Sequence, residues 1–565
     1  MKPTLSTLVL LGGLLCSVFG AVNFVWLYPS VFGLENQPIA CTVSLYFVAC
    51  TIWIWSLRVS VKVDTSAATG KRLLATIFWF AICFRAIQVC IPPILEIDLY
   101  RYMWDGLVTS NGVSPYLYAP KQVLTDELVI DDPVLAKLTT LATKTPSHHA
   151  IVSNVHFAEY TTIYPPVSQL VFAATMWIVP DHASATVHLT AIRFTLVLFD
   201  VATIALVVGL IRMAGVHIGW LVAYAWNPLV IKEIANSGHL DSIAVCFTTA
   251  AVLLLLATLT KRDRLPKARF AWAEIGVACL LGAGTAAKLF PVLFVPLFAM
   301  LFGRQSWRSG ARFLLSYFVL STVMMGWMLV ENDTVKQVLK LPQAETQDGV
   351  HEGLNGFLTD WRMNDVVFTF VFENCKPDRQ TKINRAWYVV TPNPWRQRLN
   401  DFIQTSGWSK SPPFFVARLL SVSAFLAIYT VLLVRLHKRM GASKNPHRDV
   451  LETTFLLVAT FFVLQPTQNP WYWVWALPFV CFAKNRGWML VSVCLFAYYF
   501  RFSFKFSELE FQFAGNLYQK AGIFDHCVAW LEHLAIFASI GVGAFLAAYA
   551  TNKSKSTTDA TKCPT

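Results

Sequence analysis

The sequence predicts an all-α polytopic membrane protein, with about 12 to 14 transmembrane helices and two long structured loops on the outer side. Of its 565 residues, 55% are hydrophobic and 14% are charged, and the mean hydropathy is positive. About a quarter of the residues of a soluble chain are charged. Because a charge in hydrocarbon costs several kcal/mol, this deficit of charge is typical of a chain whose solvent is lipid.

Apolar runs of roughly spanning length follow one another along the chain. The first run is interpreted as a retained signal-anchor helix, because no small-x-small cleavage site precedes the next run. Four runs lie between 163 and 260. Because the chain must pass there from the outer side to the cytoplasmic side, the number of membrane crossings has to be odd. One of the four runs must therefore be re-entrant, fused or half-spanning. The runs lie near 7–28, 39–57, 73–95, 163–180, 188–211, 216–231, 241–260, 271–287, 289–303, 312–330, 413–434, 450–466, 471–483, 487–502 and 527–550.

Basic residues gather in four short segments between the apolar runs. This is the positive-inside pattern, which places these segments in the cytoplasm. It accounts for the net charge of +13 without nucleic acid as a partner. The segments lie at 58–72, 261–269, 304–312 and 435–448.

The basic segments fix the side on which the other polar segments lie. Segments 96–162, 331–412 and 503–525 fall on the outer side. The first two contain short apolar patches and many aromatic residues rather than Gly/Ser repeats, which favours structured caps over linkers. Residues 1–550 are thus predicted to form a single transmembrane domain, followed by a polar, disordered cytoplasmic tail at 551–565.

No metal or cofactor motif stands out in the sequence. Most of the 12 cysteines lie inside apolar runs, where they resemble small buried hydrophobes, and no C-x-x-C pair occurs. Asp131 and Asp132 are adjacent but lack a third ligand at a useful spacing, so a turn before Pro133 is favoured, although a D-x-D-like site stays open. We therefore predict no required metal and no cofactor.

A polar, aromatic segment at 96–120 follows the third apolar run. Its sequence is EIDLYRYMWDGLVTSNGVSPYLYAP. Pro92 and Pro93 end the preceding helix, since proline lacks the N–H that a helix interior requires. Asp98 then stands where a new helix would begin, a position at which aspartate is a favoured cap.

A helix over 98–108 would place Asp98, Arg101, Tyr102 and Asp105 on one face, because they are spaced at i, i+3, i+4 and i+7. Two carboxylates, a guanidinium and a phenol suit general-base activation of a hydroxyl and the binding of an anionic phosphate. The alternative is structural: Asp98 would cap the helix, and Arg101 and Asp105 would form an ion pair at i, i+4. Position alone leaves both interpretations open.

Several strings together resemble the polytopic glycosyltransferases of the GT-C superfamily. DLYRYMWDGLVTSNGVSPYLYAP and then TIYPP are similar to the first outer loop of its mannosyltransferase-like branch, which uses polyprenyl-phosphate-linked sugars. The resemblance extends over most of the chain and implies a GT-C-like fold. The further strings are WNPL at 226–229, NSGHLD at 236–241, KLFPVLFVPLF at 288–298, DWRMND at 360–365 and NPWYWVWALPF at 469–479.

The resemblance implies a mechanism and a location. In this superfamily an acidic residue of the first outer loop is the catalytic base, which implies Asp98 here, with Glu96 as the nearest rival. The acceptor hydroxyl would displace the lipid phosphate with inversion at the anomeric carbon. The hexose, with mannose favoured, would pass to an outer-face acceptor, in the bacterial inner membrane with the active site facing the periplasm. Asn469 departs from the pattern, because relatives often have histidine there, which puts its handling of phosphate in doubt.

Candidate substrate-binding residues beyond the two acids are spread over polar segments and helix ends, and each also has a structural interpretation. His239 and Asp241 would cap a helix, Lys288 would extend to the membrane interface, and the aromatic residues would pack inside their loops. Arg193 and Asp200, seven residues apart, are interpreted as a structural ion pair. The candidates are Arg101, Tyr102, Asp105, Tyr164, His239, Asp241, Lys288, Trp361, Arg362, Asn364, Asn469, Trp471 and Tyr472.

Two other functions fit a polytopic chain. A secondary transporter also has many spans and broken helices, but places its polar residues near the midplane of the membrane. A glycan ligase or polymerase with a lipid-pyrophosphate donor would show an Arg-rich outer loop, and 331–412 carries Arg379, Arg385, Arg396 and Arg398. Walker and G-x-G-x-x-G motifs are absent, which agrees with a lipid-linked donor. The expected partners are a polyprenyl-phosphate sugar, a glycolipid or glycan acceptor and the lipid bilayer, and not nucleic acid.

Overall fold

Helices account for 74% of the structure, a computed structural model that describes residues 4–32, 38–125, 132–264, 266–331, 361–378 and 381–560. Within these ranges, nine helices are long and apolar enough to cross a membrane. Two shorter apolar helices, Pro166–Ile178 and Phe290–Gly303, accompany them. The all-α polytopic fold is confirmed, and the number of about 12 to 14 spans stays a prediction.

Two compact units make up the chain, and each is discontinuous in sequence. Unit 1 contains the first helices and the C-terminal part, whereas unit 2 contains most of the segment between them. The single transmembrane domain predicted for 1–550 stays a prediction. Unit 1 comprises Met1–Phe80, Ala214–Leu229 and Arg362–Thr565, and unit 2 comprises Ala81–Met213 and Val230–Trp361.

Unit 1 combines long helices, many short helical turns and one β-hairpin that the sequence did not predict. The strands Glu510–Phe513 and Asn516–Gln519 pair antiparallel. Ala514 and Gly515 at the tip have φ of 49° and 75°, the left-handed pair that a two-residue hairpin turn requires. The helices are Leu5–Leu27, Pro29–Phe32, Ile39–Ser60, Ala67–Val89 (continuing into unit 2), Ile218–Leu221, Val222–Ala225, Val367–Cys375, Asn393–Thr405, Pro412–Arg439, Pro446–Leu464, Pro470–Trp473, Leu477–Phe482, Arg486–Leu490, Val491–Cys494, Leu495–Tyr499, Phe500–Lys505, Ala521–Ile523, Phe524–Val528 and Ala529–Ala560.

Two buried tryptophans join distant parts of unit 1. The Trp53 Nε1 donates to the carbonyl oxygen of Val222 at 2.9 Å, and the Trp226 Nε1 donates to that of Ile77 at 2.8 Å. Both side chains are fully buried, and an indole N–H in such a place needs an acceptor. These bonds fix the short helical turns near residue 222 against the second and third long helices.

Close helix packing characterises unit 2. A Cβ on Gly282 would lie 3.0 Å from the Ser321 Oγ, and one on Gly284 would lie 3.2 Å from the Thr248 Oγ1. Small residues at such crossings let helix backbones approach in a membrane, where packing rather than hydrophobicity drives association. The helices are Leu99–Ser110, Pro120–Val123, Pro133–Thr143, Pro146–Ser153, Pro166–Ile178, Ala185–Met213, Pro228–Val230 (which begins in unit 1), Ile231–Asn236, Asp241–Thr260, Arg262–Arg264, Lys267–Thr285, Phe290–Phe294, Val295–Gly303 and Trp307–Glu331.

The apolar run predicted near 216–231 is not one continuous helix. It divides into short turns and ends in a π-helix, Ile231–Asn236. The break falls at Pro228, which has no backbone N–H, and the Asn227 Oδ1 accepts from the Leu229 N–H at 3.0 Å. Of the four runs between 163 and 260, this is therefore the one that is interrupted.

The long polar segments and the tail contain helices where the structure describes them. Segment 96–162 contains four helices, and 331–412 contains two, Val367–Cys375 and Asn393–Thr405. Residues 332–360 lie outside the described part. The last helix extends as far as Ala560, into the segment 551–565 that was expected to be disordered.

Candidate active site

The helix predicted over 98–108 is present as Leu99–Ser110, the site helix. Its residues are buried on nearly every side. Gly106 is required where it packs against the helix Pro166–Ile178, because a Cβ there would lie 2.7 Å from the Phe172 carbonyl oxygen. Neighbours on several sides therefore hold the site helix in place.

Asp98 immediately precedes the site helix but does not cap it. Its backbone is already helical, with φ of −59° and ψ of −23°, and its side chain accepts no capping hydrogen bond. The helix-cap interpretation is therefore wrong. Among the described residues, no donor hydrogen-bonds the half-buried Asp98 carboxylate, so its oxygens stay available to a ligand.

Arg101 and Asp105 lie on the same helical face as Asp98 but do not pair with each other. The Arg101 Nη2 donates to the carbonyl oxygens of Phe157 at 2.7 Å and His156 at 3.4 Å. The Gln169 Nε2 donates to the Asp105 Oδ2 at 3.0 Å. The i, i+4 ion-pair interpretation is therefore wrong: Arg101 fixes the loop at 156–157, while Asp105 is a buried packing carboxylate.

Tyr102 is buried and packs with aromatic neighbours. Its ring stacks on Phe172 at a centroid distance of 4.8 Å, and Tyr164 meets it edge-on at 5.1 Å. Burial, then the phenol of Tyr164, raises the pKa of Tyr102 well above its ordinary value. Tyr102 is thus packed among aromatic rings, and Tyr164, which is half-buried, is the more accessible of the two. The roles of both in substrate binding stay predictions.

Glu96, Glu233 and His239 form an acid–histidine cluster beside Asp98. The His239 Nε2 lies 3.3 Å from the Glu96 Oε2 and 3.2 Å from the Glu233 Oε2. The other oxygen of Glu96 accepts from the backbone N–H groups of Ile97 at 2.9 Å and Asp98 at 2.8 Å. Both oxygens of Glu96 are thus in use, and they fix the backbone from which the Asp98 side chain extends.

Unusual backbone geometry surrounds the acid–histidine cluster. Leu95, directly before Glu96, has φ of 56°, which is strained for a branched side chain. Gly238, directly before His239, has φ of 69°, and a Cβ there would lie 2.6 Å from a methyl group of Leu99. Glycine is required here by conformation and by space, so the sequence S-G-H is what brings His239 against the site helix.

Lys288 carries the accessible positive charge of the site. It follows the helix Lys267–Thr285, and its Nζ lies 3.1 Å from the Asp241 Oδ1. Asp241 is buried, whereas Lys288 is 19% exposed. Asp241 is therefore more than a helix cap, because it forms an ion pair with Lys288. Whether Lys288 also extends to the membrane interface stays a prediction.

The charges of the site hold three groups at unusual pKa values. Burial and the neighbouring Glu96 charge raise the pKa of Asp98 to about 7, although His239, Lys288 and Arg101 oppose the shift. Burial would raise the pKa of Glu96, but His239, the Asp98 N–H and Lys232 together lower it to about 2. Burial would lower the pKa of His239, but Glu96 and Glu233 raise it to about 9. The site thus presents a carboxylate poised near neutrality beside a charged Glu–His pair.

A comparison with known protein families identifies the family of the chain that carries this site. The sequence model of the family described as "alpha-(1->6)-mannopyranosyltransferase, N-terminal domain" matches residues 4–304, more than half of the chain. The chain belongs to this mannosyltransferase family. It is therefore a glycosyltransferase and a multi-pass membrane protein. A glycosyltransferase is thus the better interpretation than a secondary transporter. No curated protein and no solved structure matches the chain.

The predicted site residues of this mannosyltransferase fall into two groups. Ten lie in unit 2 and within or near the matched range, and their clustering around Asp98 is described above. Trp361 is the last of these, with its ring 4.8 Å from that of Phe157, the residue whose carbonyl binds Arg101. The remaining five belong to unit 1: Arg362, Asn364, Asn469, Trp471 and Tyr472.

The five residues of unit 1 have structural partners of their own. The Asn364 Nδ2 donates to the Gln468 carbonyl oxygen at 3.2 Å. Asn469 is buried at the start of a short helical turn, where Tyr472 stacks on Trp475 at 4.6 Å. Trp471 likewise packs among aromatic side chains. Arg362 lines a cavity that is described below, and the roles of all five in substrate binding stay predictions.

Two charged residues of the mannosyltransferase site were missed from the sequence. Glu233 completes the acid–histidine cluster, and the Lys232 Nζ donates to the Ser237 Oγ at 2.7 Å while lying 3.8 Å from the Glu233 Oε1. Both residues are buried in the π-helix. A Lys-Glu pair inside an apolar run was the available signal, since buried charges of this kind mark functional sites in membrane proteins.

Proposed function

We propose that this mannosyltransferase transfers mannose from a polyprenyl-phosphate donor to a glycan or glycolipid hydroxyl on the outer face of a bacterial inner membrane, with inversion. The geometry of Asp98 carries the proposal. Its carboxylate is partly accessible, receives no hydrogen bond from the described residues and has its pKa raised to about 7 by burial and Glu96. A general base works best when its pKa lies near the working pH, because it is then both deprotonated and basic.

In the proposed step, an Asp98 oxygen takes the proton of the acceptor hydroxyl. The acceptor oxygen bonds to the anomeric carbon as the bond between that carbon and the phosphate oxygen breaks. Both electrons of the broken bond leave with the lipid phosphate. Lys288, with support from the charge of Arg101, stabilises the negative charge that develops there.

The different roles proposed for Asp98 and Glu96 follow from their contacts. Glu96 already accepts two backbone N–H groups and lies against His239, so taking a proton would cost it these contacts. Its low pKa, about 2, also makes it a weak base. We therefore assign Glu96 and His239 as positioning residues for Asp98, and Asp98 alone as the base.

The description of the family names an α-(1→6) bond, which we propose for the product. Displacement from the face opposite the leaving group inverts the anomeric carbon. An inverting enzyme that forms an α bond therefore consumes a β-linked donor. The proposal thus specifies a polyprenyl-phosphate β-mannose and not its α anomer.

A lipid-pyrophosphate donor is the alternative that the arginines of 331–412 left open, but their contacts support it poorly. Arg385 and Arg396 both pair with Asp378, at 3.0 and 2.9 Å. Arg398 lies over the ring of Trp395, and Arg379 is outside the described residues. Arginines that already have such partners are less suited to binding a pyrophosphate, which favours the single phosphate group.

The donor can be tested with purified protein in lipid nanodiscs. We expect mannose transfer to an α-1,6-mannooligosaccharide from polyprenyl-phosphate β-mannose, and none from GDP-mannose, the α anomer or a polyprenyl-pyrophosphate sugar. The anomeric configuration of the product is read by NMR. Transfer from GDP-mannose alone, or a β-linked product, would refute the proposed donor or the proposed stereochemistry.

The pH profile tests the base independently. Because Asp98 acts only when deprotonated and its pKa is raised to about 7, kcat/KM is expected to rise with pH and level off above about 7. Below that value it should fall about tenfold for each pH unit. Steady-state rates from roughly pH 5 to 9 measure it. A rate that stays constant down to pH 5 would indicate a carboxylate of ordinary pKa and contradict the assignment.

A further inference from the structure

Unit 1 contains a cavity of about 300 Å³ that the catalytic proposal does not use. A smaller cavity of about 90 Å³ shares Arg362, Asp525 and His526 with it. The larger volume is at the lower end of the range for small-ligand sites. We call the larger cavity the outer pocket; besides the three shared residues it is lined by Glu373, Lys376, Asn384, Gln519, Lys520, Ala521 and Gly522.

Strained backbone positions gather at these two cavities. Asn384 and Lys520, which line the outer pocket, have φ of 53° and 51°, and Asn364, which lines the smaller cavity, has φ of 53°. Three of the non-glycine residues with positive φ in the described chain thus lie here. Such conformations persist only where the surroundings impose them, and they concentrate at ligand-binding sites.

Specific contacts impose the conformation of Asn384. Its N–H donates to the Leu517 carbonyl oxygen at 2.7 Å, and its Oδ1 accepts from the Gln519 N–H at 3.1 Å. Its side chain lies where a Cβ on residue 522 would be, 2.0 Å from the Asn384 Oδ1, so the lack of a side chain at Gly522 makes room for the Asn384 amide. The hairpin and Gly522 therefore hold the Asn384 amide at the pocket wall.

The charges of the outer pocket alternate in sign. The Arg362 Nη2 lies 3.1 Å from the Glu373 Oε1, and the Lys376 Nζ lies 3.4 Å from the same oxygen. Asp525 pairs with an arginine, Arg501, through two bonds of 2.9 and 3.2 Å. An anionic ligand would meet two carboxylates here and a cationic ligand would meet three cations. A neutral polyol suits the carboxylates and the cations alike, because each of its hydroxyl groups can donate to a carboxylate and accept from a cation or an amide.

Aromatic side chains behind the lining of the outer pocket hold one of its lining residues, His526. The Trp387 Nε1 donates to the His526 carbonyl oxygen at 2.7 Å, and the Tyr388 hydroxyl lies 3.2 Å from the His526 Nδ1. Tyr388 in turn packs on Trp530 at a centroid distance of 4.5 Å. His526 is thus held in one position, which lowers the entropy cost of binding a ligand against it.

We propose that the outer pocket is a second sugar site, which binds a mannose unit of the acceptor glycan other than the one that reacts. This inference rests on the proposed function in one respect, namely that the acceptor is a glycan. The site belongs to unit 1, whereas Asp98 belongs to unit 2. The pocket is therefore a glycan-binding site of unit 1, and no bond is made or broken there.

The test compares glycine variants at residues of positive φ. Asn384→Gly and Lys520→Gly remove the pocket side chains but keep the backbone conformation, since glycine adopts positive φ without strain. Ala514→Gly is the matched control: it has φ of 49° at the hairpin tip and does not line the pocket. Binding of α-1,6-mannotetraose to the purified full chain, without donor, is measured by calorimetry.

We expect each pocket variant to weaken binding roughly three- to tenfold, as for the loss of a sugar hydrogen bond, and the control to match the wild type. Equal affinity of all variants, no binding by the wild type, or displacement of the tetraose by inorganic phosphate would each overturn the proposal. Failure of the proposed donor would instead appear as absent transfer with tetraose binding intact, so the two failures are distinguishable.

Discussion

Replacing Asp98 with asparagine is expected to lower kcat by roughly 10²- to 10⁴-fold, the range that a general base contributes. The amide has nearly the shape of the carboxylate but cannot take the proton of the acceptor hydroxyl. Because Asp98 neither caps the site helix nor accepts a hydrogen bond from the described residues, its replacement breaks no structural contact there. Donor and acceptor KM should therefore change little. Single-turnover transfer from the lipid-linked donor measures the chemical step.

Two other variants make the Asp98 result specific. Asp401→Asn changes an exposed aspartate on the helix Asn393–Thr405 and should retain wild-type activity. Glu96→Gln removes the charge that raises the pKa of Asp98, so it should move the acid limb of the pH profile to lower pH. Full transfer by Asp98→Asn together with loss of transfer in Glu96→Gln, without such a shift, would reassign the base to Glu96.

Asp200→Asn is expected to destabilise unit 2 by about 3 to 5 kcal/mol, the cost of leaving a buried charge unpaired. The Arg85 Nε lies 2.6 Å from the Asp200 Oδ2, and both side chains are almost completely buried. The pair joins the helices Ala67–Val89 and Ala185–Met213. In the variant, the guanidinium keeps its charge and faces a neutral amide. Chemical denaturation in detergent micelles measures the loss.

The double variant Arg85→Met/Asp200→Leu provides the control for this prediction. It removes both charges together and should regain most of the lost stability, since replacing a whole buried pair is often nearly neutral. If the double variant were as unstable as Asp200→Asn, packing rather than charge would explain the loss. Wild-type stability of Asp200→Asn would show that the pair contributes little.

Local periodicity was sufficient to predict the site helix. The i, i+3, i+4, i+7 spacing correctly placed Asp98, Arg101, Tyr102 and Asp105 on one face, because helical geometry depends on neighbouring residues alone. The apolar runs likewise predicted the polytopic fold. The family was also predicted, since each string that resembles it is a short contiguous stretch of residues.

Partners across long sequence separations could not be predicted in this way. Asp200 was assigned to Arg193, seven residues away, but it pairs with Arg85 from another helix. Arg193 instead donates to the carbonyl oxygen of Ile91 at 2.6 Å. Similarly, Glu233 and Glu96 meet at His239 only because the π-helix Ile231–Asn236 and the left-handed Gly238 turn the chain back. Neither feature has a periodic sequence pattern from which it could be predicted.

The discontinuity of the two units has a consequence for expressing parts of the enzyme. The matched range 4–304 contains the whole acid–histidine cluster, yet only 4–80 and Ala214–Leu229 of unit 1 fall within it. A fragment cut at 304 would lack the C-terminal helices on which unit 1 depends. The N-terminal domain of this family is therefore a stretch of related sequence here and not an autonomous folding unit.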